Sequence, residues 1–330
     1  MKGEVEPELA MMVPQDDLAW LLVRLADRPE REVVLIAKDQ KLWSRVESII
    51  SRLETRHIVY VGDSRRLGML EDESVHLVLT SPPYWNIKEY PSWDGQLGSI
   101  QDYGEFLDEL GRVWSEVYRV LVPGGRLVVV VGDVLLPRRK YGRHGIVPLH
   151  ADIINQCRNL GFEVLSPIIW SKIGNVSREA GGRNGMLGRP YQPNAVIKSD
   201  IEYILMFRKP GYRRVSRAKM KLSTIPEPLF KKWYTQIWSI PGEQSRIHPA
   251  PFPLELAERL VRMYSYVGDT VLDPFLGTGT TMLAAMRWGR NSIGVEIDPR
   301  YARIAYQRLR KESITLIGVR RIMELMELNT

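Results

Sequence analysis

From residue 58 onward, short and wholly apolar runs alternate with amphipathic stretches, and this alternation constrains the fold more than any other feature. IVYV (58–61), HLVLT (76–80), RLVVVVG (126–132), EVLSPIIW (163–170), IEYILMF (201–207), TVLD (270–273) and SIGVEI (292–297) read as strands. The spacing predicts helices over 102–120, 148–160, 253–265, 279–288 and 299–310. In the first of these, Phe106, Leu107, Leu110, Val113, Trp114 and Val117 form one stripe. Pro123-Gly124-Gly125 reads as a turn. Strands without polar alternation are buried on both faces, so the chain is α/β, with a mainly parallel sheet between helical layers.

Two segments break the rhythm, 172–199 and 209–247. They are rich in Gly, Pro, Arg and Lys and read as insertions at the binding edge of the sheet. Residues 172–247 hold 15 Lys+Arg against 5 Asp+Glu, and the rest of the 330-residue chain is slightly acidic, for a total of +7. Such a concentration is either a solvated face or a footprint for phosphates. Interleaved Tyr191, Tyr212, Trp233, Tyr234 and Trp238 argue against simple disorder. Ahead of the strands, 15–27 and 39–55 read as helices, with VVLI (33–36) as a short strand between them. This N-terminal region carries no chemical motif and reads as an extension packed on the main domain or a partner. The chain thus divides into an extension (1–57), a first half of the sheet (58–171), the basic insertions (172–247, with 200–208 a core strand), a second half (248–312) and a tail (313–330).

No run approaches the roughly 20 apolar residues of a membrane helix, and MKGEVEPELAMMVPQDD lacks an export core. With one cysteine, Cys157, the chain forms no internal disulfide, and the cytoplasm is the expected compartment. Cys157 sits at helical spacing in IINQCRNLG and reads as a buried structural thiol.

VLDPFLGTGTT (271–281) is a strand, a glycine turn and a helix start. Gly277 and Gly279 permit close backbone approach, and the helix start offers N–H groups to an anion. Nineteen residues after Gly277 the next strand ends at Glu296, where an acid accepts from ribose hydroxyls. The turn departs from G-x-G-x-x-G: Asp273-Pro274-Phe275 precedes the glycines and Met282 holds the third glycine position. An acid there repels pyrophosphate and suits an ammonium group. A ligand with ribose, ammonium and carboxylate fits, and S-adenosylmethionine has all three.

DPFLGTGTT, HPAPFPLELAERL (248–260), GVEID (294–298) and TSPPY (80–84) together resemble the amino-group DNA methyltransferases. Their order, SPPY block first and a variable region between, is similar to the β class, over roughly residues 58–310. The resemblance implies a Rossmann-like S-adenosylmethionine-dependent methyltransferase fold of the seven-stranded type. It places Asp273, Pro274, Phe275, Gly277 and Gly279 in the cofactor loop, with Thr280 and Thr281 opening its helix. Glu296 would hold the ribose, with Asp298 beside it. Asp63 would lie by the adenine, Thr80 would join the cofactor site beside the motif, and His248, Pro249, Phe252 and Pro253 would lie along the methionine arm.

Ser81, Pro82, Pro83 and Tyr84 would form the catalytic motif. The lone pair of an exocyclic amine is delocalised into the base, so the site must accept its N–H hydrogens. The Ser81 hydroxyl and Pro82 carbonyl can accept, and proline adds no competing donor. Tyr84 can stack on a base drawn out of the duplex. Direct transfer needs no thiolate and no metal. In this family SPPY usually accompanies cytosine N4 and DPPY adenine N6, so Ser81 favours cytosine, with adenine as the alternative. Trp85 and the loop to Gln101 would close over DNA. Arg183, Arg189, Arg213, Arg214 and Arg217 would contact it, and Trp170 lines the base pocket or belongs to the core. Asp133 ends the adjacent strand. Double-stranded DNA is the implied partner and a cognate restriction endonuclease the implied genetic one. A DNA-binding protein on an inactive methyltransferase fold is the reading from another class.

Overall fold

The computed structural model describes residues 5–85, 95–136, 138–172, 186–187, 193, 196–197, 199–243, 252–315 and 321–327. In chain order its elements are α1 (Pro7–Met12), α2 (Gln15–Leu22), α3 (Pro29–Lys38), α4 (Gln40–Ile50), β1 (Thr55–Val61), β2 (Val75–Thr80), α5 (Tyr103–Val120), β3 (Leu121–Val131), β4 (Val134–Leu136), α6 (Arg138–Tyr141), β5 (Gly145–Val147) and α7 (Leu149–Asn159). There follow β6 (Glu163–Ser171), β7 (Met186–Leu187), β8 (Val196–Ile197), β9 (Ile201–Arg208), α8 (Arg217–Leu222), α9 (Glu227–Trp233), β10 (Ile237–Ser239), α10 (Leu254–Tyr264), β11 (Thr270–Asp273), α11 (Thr280–Arg287), β12 (Asn291–Glu296), α12 (Pro299–Thr315) and β13 (Arg321–Glu327).

Nine strands form one sheet in the order β10-β6-β9-β3-β2-β11-β12-β1-β13. Only β9 runs antiparallel to its neighbours. The C-terminal ends of the other eight therefore share one edge. The sheet is wider than the seven-stranded type, because β10 and β13 extend its two sides. Alternation along β2, β3 and β9 splits the core. Val78, Leu127, Val129 and Phe207 face Phe106, Trp114 and Ile153 of α5 and α7. Leu77, Val128, Val130 and Ile204 face Leu256, Leu260 and Ala284 of α10 and α11. Both faces are covered, as unbroken apolar strands require.

Three local expectations are corrected. VVLI lies inside α3, not in a strand. Pro29 opens that helix and Glu30 and Glu32 occupy its first turn, which suits the helix dipole. Ile36 is buried whereas Val34 and Leu35 are exposed, a helical distribution of the four residues. Pro123-Gly124-Gly125 lies within β3 as an irregularity, where the pairing with β2 jumps from Val75↔Leu121 to Leu77↔Arg126. Residues 209–239 form α8, α9 and β10 rather than an irregular insertion.

The N-terminal helices pack on the main domain. Leu9, Leu21, Ile36, Val46 and Ile49 share a core with Ala218 and Leu222 of α8 and with Val267. Charge reinforces this contact. Arg217 Nε donates to Glu32 Oε2 at 2.6 Å, and Lys221 Nζ donates to the carbonyls of Trp20, Leu21 and Val23 at 3.3, 3.2 and 2.7 Å. Among the described residues, no helix is long and apolar enough to cross a membrane.

Candidate active site

The C-terminal edge of the sheet gathers most of the motif residues. Asp63 follows β1, Ser81–Tyr84 follow β2, Asp273 ends β11 and Glu296 ends β12. A cleft there is lined by Asp63, Ser81, Pro83, Phe275, Gly277 and Glu296, among others.

Glu296 is held by backbone. Its Oε2 accepts from Gly277 N at 2.8 Å and its Oε1 from Asp298 N at 3.0 Å. Burial pushes its carboxyl up to about 7, and those two N–H groups offset only part of the cost. The glycine turn needs its glycines: φ is +52° at Gly277 and +82° at Gly279, and a Cβ on Gly279 would lie 3.0 Å from the Ala305 Cβ. Asp273 is fully buried and is also pushed up, to about 6. Its Oδ1 accepts from Thr80 Oγ1 at 2.7 Å and from Phe275 N at 3.1 Å. It therefore shapes the loop from within and is not part of the cleft wall. Thr281 Oγ1 donates to Leu79 O at 3.1 Å, tying α11 to β2. Thr280 accepts from Arg308 at 3.0 Å.

Asp63 lines the cleft clamped by Arg65, whose Nε lies 2.9 Å from both carboxylate oxygens. Glu109 completes the clamp on Arg65. Asp298 is turned away: it accepts from Arg300 N at 2.9 Å and Arg300 Nη2 at 2.7 Å. Burial alone would raise its carboxyl, but these bonds hold it below the ordinary value. Phe252 is a core residue beside Leu256, and Pro253 caps α10. His248 and Pro249 lie outside the described residues.

In the motif itself, Ser81 is half-buried and Pro82 buried. Ser81 Oγ lies 3.4 Å from the Tyr84 hydroxyl, which reaches Val130 O at 3.5 Å. Gly132 makes room for the ring, since a Cβ there would sit 3.3 Å from both Tyr84 Cε2 and Glu202 Cγ. Glu202 pairs with Lys172. Asp133 Oδ1 lies 2.6 Å from His150 Nδ1, and the His150 ring stacks on Tyr203 at 3.9 Å.

The residues expected to meet DNA scatter. Trp85 is buried, in a left-handed backbone conformation (φ +49°) and edge-on to Tyr103 at 5.1 Å. Arg213 lies at the opposite edge of the sheet, bonded through both guanidinium arms to Asp269, just before β11. Arg217 holds Glu32 on the same side, and Arg214 is exposed there, between them in sequence. The structure does not bring these three arginines to the motif. Arg183, Arg189 and most of the loop after Trp85 (86–94) lie outside the described residues. Trp170 belongs to the core, with Nε1 donating to Ile240 O at 2.8 Å. Cys157 is buried and burial drives its thiol upward, away from thiolate chemistry.

Sequence reasoning did not single out Gln96 or Tyr301, both of which line the cleft. Gln96 Oε1 is buried without a hydrogen-bond partner. An orphaned acceptor in a cleft with a buried carboxylate suits a ligand rich in donors, such as an adenosine with a free amino acid end. The residues present therefore fit S-adenosyl-L-methionine.

A model of the N6/N4 DNA methylase family matches residues 75–307. The chain belongs to that family. It is 40% identical over 278 residues to the type II methyltransferase M.MjaI of Methanocaldococcus jannaschii, covering 74% of this chain and 88% of that one. With M.MthZI of Methanothermobacter thermautotrophicus it shares 35% identity, over 83% of each chain. The Thermus thermophilus protein TTHA0409, provisionally a DNA modification methylase and solved with S-adenosyl-L-methionine, is 52% identical. Its structure superimposes with a TM-score of 0.68 over 83% of this chain and 99% of that one. As a DNA methylase of this family, the chain uses S-adenosyl-L-methionine and acts on DNA. The SPPY motif and the glycine turn, far apart in the chain, meet at one sheet edge because β2 and β11 are direct neighbours.

Proposed function

We propose that this methylase modifies the exocyclic N4 of cytosine in duplex DNA. The observation that carries the reading is Ser81: a neutral hydroxyl at the cleft, where the adenine-type motif has a carboxylate. S-adenosyl-L-methionine, when bound, supplies the methyl group on a sulfonium centre. The Ser81 hydroxyl and the Pro82 carbonyl accept the amino hydrogens, which frees the nitrogen lone pair for direct attack. Tyr84, anchored at Val130 and given space by Gly132, stacks on the extruded base. Glu296 accepts the ribose hydroxyls. The turn from Gly277 to Gly279, opening α11, offers backbone N–H groups to a carboxylate. Catalysis on this reading is positioning and electrostatics, with no covalent enzyme intermediate. Type II relatives support a restriction–modification role, with a cognate endonuclease as genetic partner and the cytoplasm as the place of action.

The test is product identity. Protein, cofactor and unmethylated DNA of mixed sequence are incubated and the DNA digested to nucleosides for mass spectrometry. N4-methylcytosine is expected; N6-methyladenine as the sole product would refute the assignment of Ser81.

A further inference from the structure

A second cavity, much larger than the cleft, lies elsewhere in the molecule. It has a volume of about 900 Å³, within the range of small-molecule sites. It opens at the N-terminal edge of the sheet, remote from Ser81, where β2 and β3 begin and α10 ends. One wall is α3 of the N-terminal extension and another is α9.

Its lining joins two chemistries. Flat rings come from Tyr212, Phe230, Tyr234, Tyr264 and Tyr266. Phe230 and Tyr234 stack at 4.2 Å and remain about half exposed, and Tyr212 is 84% exposed. Cations outnumber acids, with Lys38, Arg126, Arg208, Arg213 and Arg262 against Glu30 and Glu227. Three of the arginines are engaged: Arg213 with Asp269, Arg208 with Glu163, and Arg262 against the Trp288 ring at 3.7 Å.

Arg126 differs. Its Nη1 is buried and has no hydrogen-bond partner, and the charge acting on it most strongly is another cation, Arg208, with the Glu163 carboxylate opposing it more weakly. Burial and Arg208 both push its guanidinium below the ordinary value. A half-buried arginine with one guanidinium nitrogen desolvated and unbonded is costly in a finished protein, and a phosphate supplies the missing acceptor in the geometry a guanidinium prefers.

We propose that this cavity is a second ligand site, which takes a nucleotide: a phosphate on Arg126 and a flat base among the tyrosines and Phe230. The site is separate from the cofactor cleft and does not depend on which base is methylated.

The test is calorimetric titration of the full-length protein saturated with S-adenosyl-L-homocysteine, which blocks the cleft. The probes are nucleoside mono- and diphosphates, pyrophosphate, and a single-stranded oligonucleotide. One nucleotide should bind per chain with a Kd below about 1 mM. Arg126→Met should weaken it at least about tenfold while leaving S-adenosyl-L-homocysteine affinity intact. Phe230→Ala, at an exposed ring, should weaken nucleotides but not pyrophosphate. Without ligand, Arg126→Met should be at least as resistant to urea as the parent, because it removes a half-buried cation whose Nη1 is buried and unbonded. Absence of saturable nucleotide binding, binding indifferent to Arg126→Met, binding of the oligonucleotide alone, or a marked loss of stability in Arg126→Met would each overturn the proposal.

Discussion

Glu296→Gln tests how the cleft holds its cofactor. The free Glu296 carboxyl lies near 7. It is therefore about 10% ionised at pH 6 and about 90% at pH 8. Ribose hydroxyls donate, so they favour the ionised form, and cofactor affinity should rise about ninefold between these two values. The sign for folding is opposite. A raised carboxyl stabilises the free protein below its unfolded value of about 4.3, and that contribution is lost as pH rises through the folded value. Cofactor should thus protect the protein most in the range where the free form weakens. Glutamine removes the charge and nearly all the titration. At pH 8 the loss of charge-assisted bonds, about 1.5 to 3 kcal/mol, should raise Kd about 10- to 150-fold. At pH 6 the difference should shrink, because the parent is then mostly protonated as well. The variant also turns an amide NH2 toward Gly277 N or Asp298 N, costing about 1 to 3 kcal/mol of stability. Titration calorimetry with S-adenosyl-L-homocysteine at pH 6, 7 and 8 measures the affinities. An equal rise in parent and variant would assign the titration elsewhere, Asp273 first. A flat parent profile would refute the half-ionised Glu296.

Further expectations concern the two sheet edges. Arg213→Met leaves Asp269 buried without its main partner and should cost about 3 to 5 kcal/mol in urea unfolding. The salt dependence of DNA binding should not change, because Arg213 is remote from the motif. Gly279→Ala forces a side chain into a left-handed position and against Ala305, at about 1 to 2 kcal/mol or more; thermal unfolding and cofactor titration should both register it. Ser81→Ala should lower the methylation rate with little change in cofactor affinity, since one acceptor for the amino hydrogens is lost; single-turnover methylation and calorimetry separate the two. Cys157→Ala should leave methylation unchanged, and full activity after thiol alkylation of the native protein would agree.

The regular part of the fold was legible because its signals are local. Each buried strand is an apolar run, and each long helix carries a stripe. The turn from Asp273 to Glu296 was legible for the same reason, since strand, glycines, helix and acid follow one another closely. What escaped depended on contacts distant in sequence. VVLI is equally apolar in a helix or a strand, and only Pro29 and the acidic first turn of α3 favoured the helix. The edge strands β10 and β13 are short or polar and form by pairing with β6 and β1. Gln96 carries no motif and is recognisable only by its place in the cleft.

The basic segment is the instructive case, because its charge is real and its destination was not readable. A high local charge was open to two readings, a solvated face or a DNA footprint. The structure shows a third use over residues 213–221. Arg213 and Lys219 surround the buried Asp269, Arg217 takes the buried Glu32, and Lys221 is spent on three carbonyls at the end of α2. Buried acids earlier and later in the chain call for these cations, and counting charge within a window misses such partners. The consequence is a division between the two edges of the sheet. Cations between β9 and α9 join the N-terminal helices to the core, and at that edge Arg126 keeps a buried Nη1 without a hydrogen-bond partner. Contacts with DNA near the target base are then expected at the other edge, where Ser81 and Lys172 lie. Exchanging cations there should alter the salt dependence of DNA binding, whereas exchanges of Arg213, Arg217, Lys219 or Lys221 should lower stability and leave that salt dependence unchanged.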